Sequence, residues 1–175
     1  MKSIRDIYKI GKGPSSSHTM GPERAAKLFL SEHPEADRIQ VILYGSLSKT
    51  GVGHGTDRVL REVLASVDNK IIYAQEDPED MGHPNTMDFF AYQGETQTGH
   101  FRVESVGGGD IVILGRPADP NEEIYPENSF AEIADFCKWR YIHTLSEYVE
   151  MNEGPEIWDF LREVCASVLI PVYAI

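Results

Sequence analysis

The sequence predicts an α/β protein of the α+β type: a mixed, predominantly antiparallel sheet with packed helices, followed by a helical C-terminal connector. Three observations lead to this class. Residues 38–44 alternate in the manner of a half-buried strand. Residues 87–92 and 99–106 flank Gly94 as the two strands of an antiparallel hairpin do. After Ser129 the chain changes to segments with helical start signals.

Helices are predicted on either side of the first strand. Residues 23–31 carry apolar side chains at helical spacing, and Pro22 suits the first turn of that helix. A glycine-rich loop is predicted at residues 51–55, and Thr56 or Asp57 then caps the next helix. The first half of the chain therefore places polar loops beside strand ends and helix starts.

The remaining sheet elements are short. Residues 70–74 are predicted to form one strand and residues 111–114 another. Three glycines at 107–109 break or bulge the pairing before the last strand. Residues 77–85 form a polar loop that contains proline.

The C-terminal part is predicted to be helical. Ser129 with Glu132 and Thr144 with Glu147 have the spacing of capping boxes, so a helix is expected to begin at each. A Gly-Pro-Glu sequence then begins a third helix. Residues 168–175 carry no charge, and an apolar end of this kind usually needs a partner surface.

Composition excludes several classes of partner. With 28 acidic and 16 basic residues the net charge is −12, which argues against nucleic acid and against anionic membranes. No signal-peptide core and no apolar run of membrane-spanning length is present, so a cytoplasmic protein is expected. Cys137 and Cys165 are predicted to be buried free thiols in a reducing compartment, since free cysteines are commonly buried. They are too few for an iron–sulfur cluster, which usually needs three or four cysteines.

The most informative stretch is the sequence GPSSSHTMGP at residues 13–22. Its polar side chains all require hydrogen bonds, which favours a loop over a core element. Backbone N–H groups and hydroxyls of such a loop can converge on an anion at the following helix N-terminus. An ordinary serine-rich loop is the alternative, but the Gly-Pro pairs on both sides favour a binding loop.

Other polar side chains are candidates for chemistry. His54 lies between glycines just before a helix, and histidine titrates near neutrality; a solvated loop histidine is the alternative. His83 and Asn85 flank Pro84 and could face one ligand, although a plain turn explains them too. Ser105 precedes the three glycines, which form either an anion-binding nest or a simple bulge.

Two other kinds of site have weaker support in the sequence. Ser17 next to His18 suggests a serine hydrolase, but adjacent residues rarely orient toward each other and no G-x-S-x-G elbow is present. A zinc site built from His18, His54 and His83 is conceivable, but the sequence lacks the tight spacings that would favour it.

Taken in order, five short motifs resemble the N-terminal β domain of iron–sulfur L-serine dehydratases (L-serine ammonia-lyases) over roughly the first two-thirds of the chain. The motifs are GPSSSHTMGP at 13–22, YGSL at 44–47, GHGTD at 53–57, HPNTM at 83–87 and SVGGG at 105–109. The resemblance implies a β domain at residues 1–128. It further implies that residues 129–175 are a connector toward a catalytic α domain absent from this chain.

The resemblance implies conversion of L-serine to pyruvate and ammonia, with a [4Fe-4S] cluster bound by a separate α domain or subunit. L-serine, that α domain and further copies of the chain are the expected partners. The chain by itself is expected to bind no cofactor and to be inactive. The implied proton-transfer candidates are His54 and His83, and which of them is the base stays open. The implied substrate-binding residues are Ser15, Ser16, Ser17, His18, Thr19, Asn85 and Ser105.

The alternative is a regulatory domain that binds an amino acid or anion without catalysis. The same fold is similar to the allosteric substrate-binding domain of some phosphoglycerate dehydrogenases. The intact GHGTD and HPN motifs favour the enzyme component, because pure anion binding does not need two loop histidines. The scarcity of cysteines favours the binding role for this chain in isolation.

Overall fold

A computed structural model describes residues 1–13, 15–117 and 123–169. In chain order the elements are α1 (Ile4–Ile7), α2 (Met20–Glu32), β1 (Arg38–Leu43), α3 (Gly45–His54), α4 (Thr56–Val63), β2 (Asp68–Tyr73), β3 (Thr86–Gln93), β4 (Thr96–Gly107), β5 (Asp110–Ile113), α5 (Phe130–Arg140), α6 (Leu145–Glu153) and α7 (Ile157–Leu169). None of the helices among the described residues is long and apolar enough to cross a membrane.

The five strands form one sheet in the order β2-β1-β3-β4-β5. The β1–β2 pair is parallel, and the other three neighbouring pairs are antiparallel. The predicted α+β class with a mixed, predominantly antiparallel sheet is therefore confirmed. The predicted alternation of β1 is also confirmed, since Ile39, Val41 and Leu43 are fully buried.

The core lies between one face of this sheet and helices α2, α3 and α4. Phe29 of α2 contacts Phe89 of β3 and Phe101 of β4, with ring centroids 5.4 Å and 4.8 Å away. Leu47 of α3 and Leu60 of α4 join the same buried cluster. The helices are therefore fixed on the sheet by apolar contacts, which leaves their polar ends free to build a site.

The predicted glycine-rich loop at residues 51–55 is wrong, because helix α3 continues through it to His54. A Cβ atom at Gly51 would lie 3.2 Å from the Thr56 hydroxyl, so glycine lets α3 and α4 approach closely. Gly55 has a φ of 76° and ends α3 in the left-handed conformation that glycine adopts readily. Packing therefore offsets the low helix propensity of glycine.

The predicted side-chain cap of the next helix is also wrong. Gly55 is the N-cap of α4, and Thr56 is already the first helical residue. The Thr56 hydroxyl instead donates a hydrogen bond of 2.7 Å to the carbonyl of His18. Asp57 lies in the first turn without capping it. Thr56 therefore ties α4 to the serine-rich turn.

Other predicted features are confirmed with shifted ends. Helix α2 begins at Met20, three residues earlier than expected, and Pro22 lies in its first turn. The hairpin around Gly94 is present, and the pairing of β4 with β5 is irregular between Ser105 and Gly107. Residues 77–85 contain neither helix nor strand.

The chain divides into two compact units, Gly11–Ala118 and a second formed by Met1–Ile10 with Asp119–Ile175. The division between residues 128 and 129 expected from the sequence stays a prediction, although residues 123–128 group with the C-terminal helices. The apolar C-terminal segment, residues 168–175, was expected to need a partner surface. Residues 170–175 lie outside the described part of the chain, so this expectation stays a prediction.

In the second unit both predicted helix starts are confirmed, with Ser129 and Thr144 as N-caps, although the carboxylates of Glu132 and Glu147 bond the N–H of the residue before each cap. The Ser129 hydroxyl accepts a hydrogen bond from the Glu132 N–H, and the Thr144 hydroxyl accepts one from the Glu147 N–H.

A further contact in this unit was not predicted. The carboxylate of Glu153, whose side chain is 2% exposed, accepts hydrogen bonds from three groups. The donors are the Ser3 hydroxyl at 2.7 Å, the Ile4 N–H at 2.6 Å and the Tyr125 hydroxyl at 2.9 Å.

Replacing Glu153 by alanine should destabilise this second unit by about 2–3 kcal/mol, because three donors around a buried carboxylate lose their acceptor. Urea denaturation followed by the fluorescence of Trp139 and Trp158 measures the effect. Glu150→Ala on the same helix is the control. The side chain of Glu150 is exposed, and among the described residues its hydrogen bond is with the indole N–H of Trp158. Equal denaturation midpoints for the two variants would contradict the role of Glu153.

Candidate active site

The imidazole of His18 is the centre of a set of hydroxyl groups. Its Nδ1 lies 3.1 Å from the hydroxyls of both Ser15 and Ser17, and its Nε2 lies 3.1 Å from those of Ser46 and Thr50. The expectation that Ser17 and His18 do not face each other is therefore wrong. We refer to these five residues together with His54 as the hydroxyl–imidazole cluster: Ser15, Ser17, His18, Ser46, Thr50 and His54.

Half of this cluster comes from one side of helix α3. Ser46, Thr50 and His54 are spaced four residues apart, which places them along the same stripe of a helix. The ring of His54 lies against the ring of His18, with centroids 4.6 Å apart and planes inclined by 56°. Among the described residues, no hydrogen bond engages the ring nitrogens of His54, which is half-buried. His54 therefore combines a supported ring face with two nitrogens that a ligand can use.

Hydrogen bonding indicates the tautomer of His18. The Thr50 hydroxyl donates its proton to the carbonyl of Ser46 at 2.8 Å, so it can only accept from His18. The proton of the neutral ring then lies on Nε2, and Nδ1 accepts from a serine hydroxyl. Burial, and secondarily the proximity of His54, lowers the pKa of His18 below 6.5, so the ring is neutral at pH 7. His18 therefore organises hydroxyl groups and does not carry charge.

The serine-rich turn is held together by its own groups. The Thr19 hydroxyl shares its single proton between two carbonyls of this segment, that of Ser15 at 2.7 Å and that of Lys12. Thr19 is fully buried, so its hydroxyl stabilises the turn and does not face solvent. The carbonyl of Ser16 accepts from the Gly21 N–H at 3.0 Å. The turn therefore leads directly into the first turn of α2.

The conformation of His83 is fixed by the residues that follow it. The backbone N–H of Asn85 donates to Nδ1 of His83 at 3.1 Å, and the Thr86 hydroxyl donates to the His83 carbonyl at 2.6 Å. Because Nδ1 is an acceptor, a neutral His83 carries its proton on Nε2. His83 is therefore arranged as an N–H donor toward whatever faces Nε2.

Two hydrogen bonds join Asn85 and Ser105. The backbone N–H of Ser105 donates to the Asn85 carbonyl at 2.9 Å, and the side-chain Nδ2 of Asn85 donates to the Ser105 carbonyl at 3.4 Å. The Asn85 Oδ1 and the Ser105 Oγ are buried and have no partner among the described residues. Ser105 Oγ lies where a side chain at Gly21 would stand, beside the start of α2. Buried polar atoms without a partner mark a place where water or a ligand is expected.

Ser46 connects these two groups of residues. Its hydroxyl contacts His18, and its backbone N–H donates to the carbonyl of Pro84 at 2.7 Å. The structure thus brings Ser15, Ser17, His18 and His54 into contact, and it links them through the start of α3 to the segment that carries His83 and Asn85. Ser16 has no side-chain partner among the described residues. The predicted roles of all these residues stay predictions.

Sequence reasoning missed Ser46 and Thr50. Ser46 is part of the YGSL motif, but neither residue was a candidate, because the segment that ends in GHGTD was interpreted as a loop. The signal that could have found them is the spacing of Ser46, Thr50 and His54, which has meaning only on a helix.

The residues of this chain do not fit an iron–sulfur cluster. The sequence has two cysteines, and the prediction that both are buried is wrong, because Cys137 is half-buried and Cys165 is exposed. Within residues 1–13, 15–117 and 123–169 no group of three histidine, cysteine or acidic side chains could hold a metal ion.

The fold and the cluster define an α+β domain with a polar site at the start of α2 and along α3. Residues 3–69, which include the whole cluster, match the family model of the serine dehydratase beta chain. L-serine dehydratase 1 of Escherichia coli (strain K12) is 33% identical over 78% of this chain and 40% of its own length. L-serine dehydratase of Mycobacterium tuberculosis (strain CDC 1551 / Oshkosh) is 47% identical over 86% of this chain and 42% of its own. The chain belongs to the L-serine dehydratase β-domain family, and it spans about two-fifths of the length of these relatives.

Proposed function

We propose that this chain is the β-domain component of an iron–sulfur L-serine dehydratase, which converts L-serine to pyruvate and ammonia. The observation that carries the proposal is the hydroxyl–imidazole cluster, because all six of its residues lie within the segment that matches the serine dehydratase beta chain. The cytoplasmic location expected from the acidic composition belongs to the same proposal.

The chain's first task in this reaction is to bind the substrate's carboxylate. The Ser15–Ser17 turn presents hydroxyl groups at the beginning of α2, where the helix dipole favours negative charge. Nδ1 of the neutral His18 ring accepts the proton of one of the two nearby hydroxyls, those of Ser15 and Ser17, which leaves the other serine hydroxyl to donate to the anion. This arrangement supports a cradle in which the serines bind and His18 positions them.

The second task is proton transfer. Elimination of water from L-serine takes the Cα proton and the hydroxyl group; the resulting enamine tautomerises to the imine, which water hydrolyses to pyruvate and ammonia. We assign removal of the Cα proton to His54, because no hydrogen bond among the described residues occupies its ring nitrogens. His83, with its proton on Nε2, is suited to donate a hydrogen bond to the substrate. Asn85 and Ser105, which carry unpartnered oxygens, complete the binding side of the site.

The iron–sulfur cluster belongs to a catalytic α domain or subunit outside this chain, because the chain's two cysteines are too few to hold it. The relatives are about two and a half times as long as the part that this chain matches, which supports a further domain or partner subunit. Association of several copies of the chain is the remaining part of the proposal.

The purified chain should be colourless and form no pyruvate from L-serine, even after anaerobic reconstitution with iron and sulfide. The reason is the shortage of cluster ligands. The measurement is the absorbance spectrum together with a pyruvate assay. Addition of a separately expressed α domain from a relative should then produce both a coloured complex and turnover. Pyruvate formation by the chain alone would contradict this division of labour.

The regulatory alternative predicts a different outcome in the same experiment. A domain that only binds an amino acid or anion would bind L-serine in calorimetry but would not give turnover with any α domain. His54→Ala distinguishes the two functions further. In an enzyme component, the substitution lowers the turnover measured with the α domain. A binding domain gives no turnover with or without His54.

A further inference from the structure

The segment from Asp77 to Thr86, here called the His83 loop, is attached to the beginning of α3 at three places. The Asp77 carboxylate accepts from the Gly45 N–H at 2.7 Å. The Pro84 carbonyl accepts from the next amide, that of Ser46, at 2.7 Å. The Thr86 carbonyl accepts from the Tyr44 N–H at 3.0 Å. Three successive amides at the start of α3 therefore hold both ends of the loop.

Gly45 shows how close this contact is. Its φ is +52°, and any Cβ atom there would collide with the Pro84 carbonyl. The loop and the first turn of α3 consequently meet backbone to backbone, with no side chain between them. A displacement of one is transmitted to the other.

Asp77 is the acidic side chain at this contact, and both of its oxygens are used. Oδ1 accepts from the Gly45 N–H, and Oδ2 lies 3.3 Å from Nζ of Lys49, one turn further along α3. The bond from Gly45 and, secondarily, the charge of Lys49 lower the pKa of Asp77, so its carboxylate is ionised at neutral pH. A negative charge at a helix N-terminus also interacts favourably with the helix dipole.

We propose that Asp77 is a positioning residue, which fixes the His83 loop against α3 and thereby sets the geometry between His83 and His54. Helix α3 ends in His54, so one carboxylate couples the elements that carry both proton-transfer candidates. The proposal rests on the proposed function of those two histidines. Asp77 itself touches neither of them among the described contacts and acts through Gly45 and the loop.

The neighbouring residues provide controls. Glu76 is exposed and has the same charge, but its side chain makes no hydrogen bond or ion pair within the described part of the chain. The side chain of Lys49 is 72% exposed, and its ion pair is with Asp77. Glu76→Ala therefore removes a charge without removing the contact, and Lys49→Met removes the ion pair but leaves the Gly45 bond.

The first test uses the 15N-labelled full chain and needs no activity. In Asp77→Ala the Gly45 amide should exchange with solvent at least about tenfold faster, because it loses its hydrogen-bond acceptor. Long-range imidazole spectra should show His83 changing from one Nε2-protonated form to a mixture of tautomers. Asp77→Gln, which moves the oxygen by one methylene, should behave in the same way, whereas Asp77→Asn and Glu76→Ala should remain near wild type. Unchanged exchange and tautomer in both Asp77→Ala and Asp77→Gln would overturn the proposal.

The second test measures kcat and KM of the complete enzyme. Asp77→Ala should lower kcat by about tenfold or more with a smaller change in KM, since misplacement of about 1 Å can cost on the order of 10²-fold. Asp77→Asn should restore most of kcat, and Glu76→Ala should leave it unchanged. Altered spectra with an unaltered kcat would overturn the positioning role. An unaltered kcat in both His54→Ala and His83→Ala would contradict the proposed function of the two histidines. The exchange rate of Gly45 and the tautomer of His83 would still test the contact made by Asp77.

Discussion

Replacing His54 by alanine is expected to lower kcat of the proposed L-serine dehydratase by about 10²-fold or more, the usual cost of losing a general acid or base. The ring nitrogens of His54 have no hydrogen bond among the described residues, so the substitution removes chemistry and leaves few contacts unpaired. His54 is half-buried at the end of α3, and its ring contact is with His18. Steady-state kinetics with L-serine measure the effect, and circular dichroism verifies that the fold is retained.

Two further variants define what the His54 result means. His83→Ala should also reduce kcat, and if it alone abolishes turnover, His83 is the base and His54 a binding residue. His143→Ala is the matched control, because His143 is exposed and lies in the other compact unit of the chain. A kcat near that of the wild type in both His54→Ala and His83→Ala would contradict the assignment of proton transfer to these histidines.

Substitution of His18 by alanine is expected to have the largest effect on stability. His18 is 8% exposed and lies at hydrogen-bond distance from four hydroxyls, and its loss leaves those groups to compete for water or for one another. We expect the free energy of unfolding to fall by about 2–4 kcal/mol. Turnover of the complete enzyme should fall at least about tenfold, because the serine hydroxyls of the turn are no longer held in place by the His18 ring. Urea denaturation and kinetics measure the two effects.

The pH dependence of stability provides an independent test of the neutral His18. Its pKa in the folded chain lies below 6.5, so the unfolded chain binds the proton more readily. This contribution to stability is therefore complete above about pH 6.5 and is lost as the pH falls below that value. His18→Gln, which keeps hydrogen-bonding capacity but does not titrate, should show a smaller loss between pH 7.5 and pH 5. Equal losses in both proteins would show that His18 is not the group responsible.

Much of the fold could be predicted because period-two and capping signals are local. The alternation of Ile39, Val41 and Leu43 predicts β1, and the capping boxes at Ser129 and Thr144 predict the starts of α5 and α6. Helix α3 could not be predicted in the same way. Its glycines have low intrinsic helix propensity, and the close approach that favours glycine at position 51 exists only once α4 has packed against it.

The sequence by itself determined the α+β class, most strands and helices, the family resemblance and the residue types of the site, because these depend on periodicity, caps and short ordered motifs. Tertiary structure decided which of those residues meet. It placed Ser46 and Thr50 on His18, turned the Thr19 hydroxyl inward, and attached the His83 loop to the start of α3. The physical reason is that hydrogen-bond partners far apart in sequence are selected by how helices pack on the sheet. Apolar contacts between Phe29, Phe89 and Phe101 fix that packing, and no local pattern specifies it.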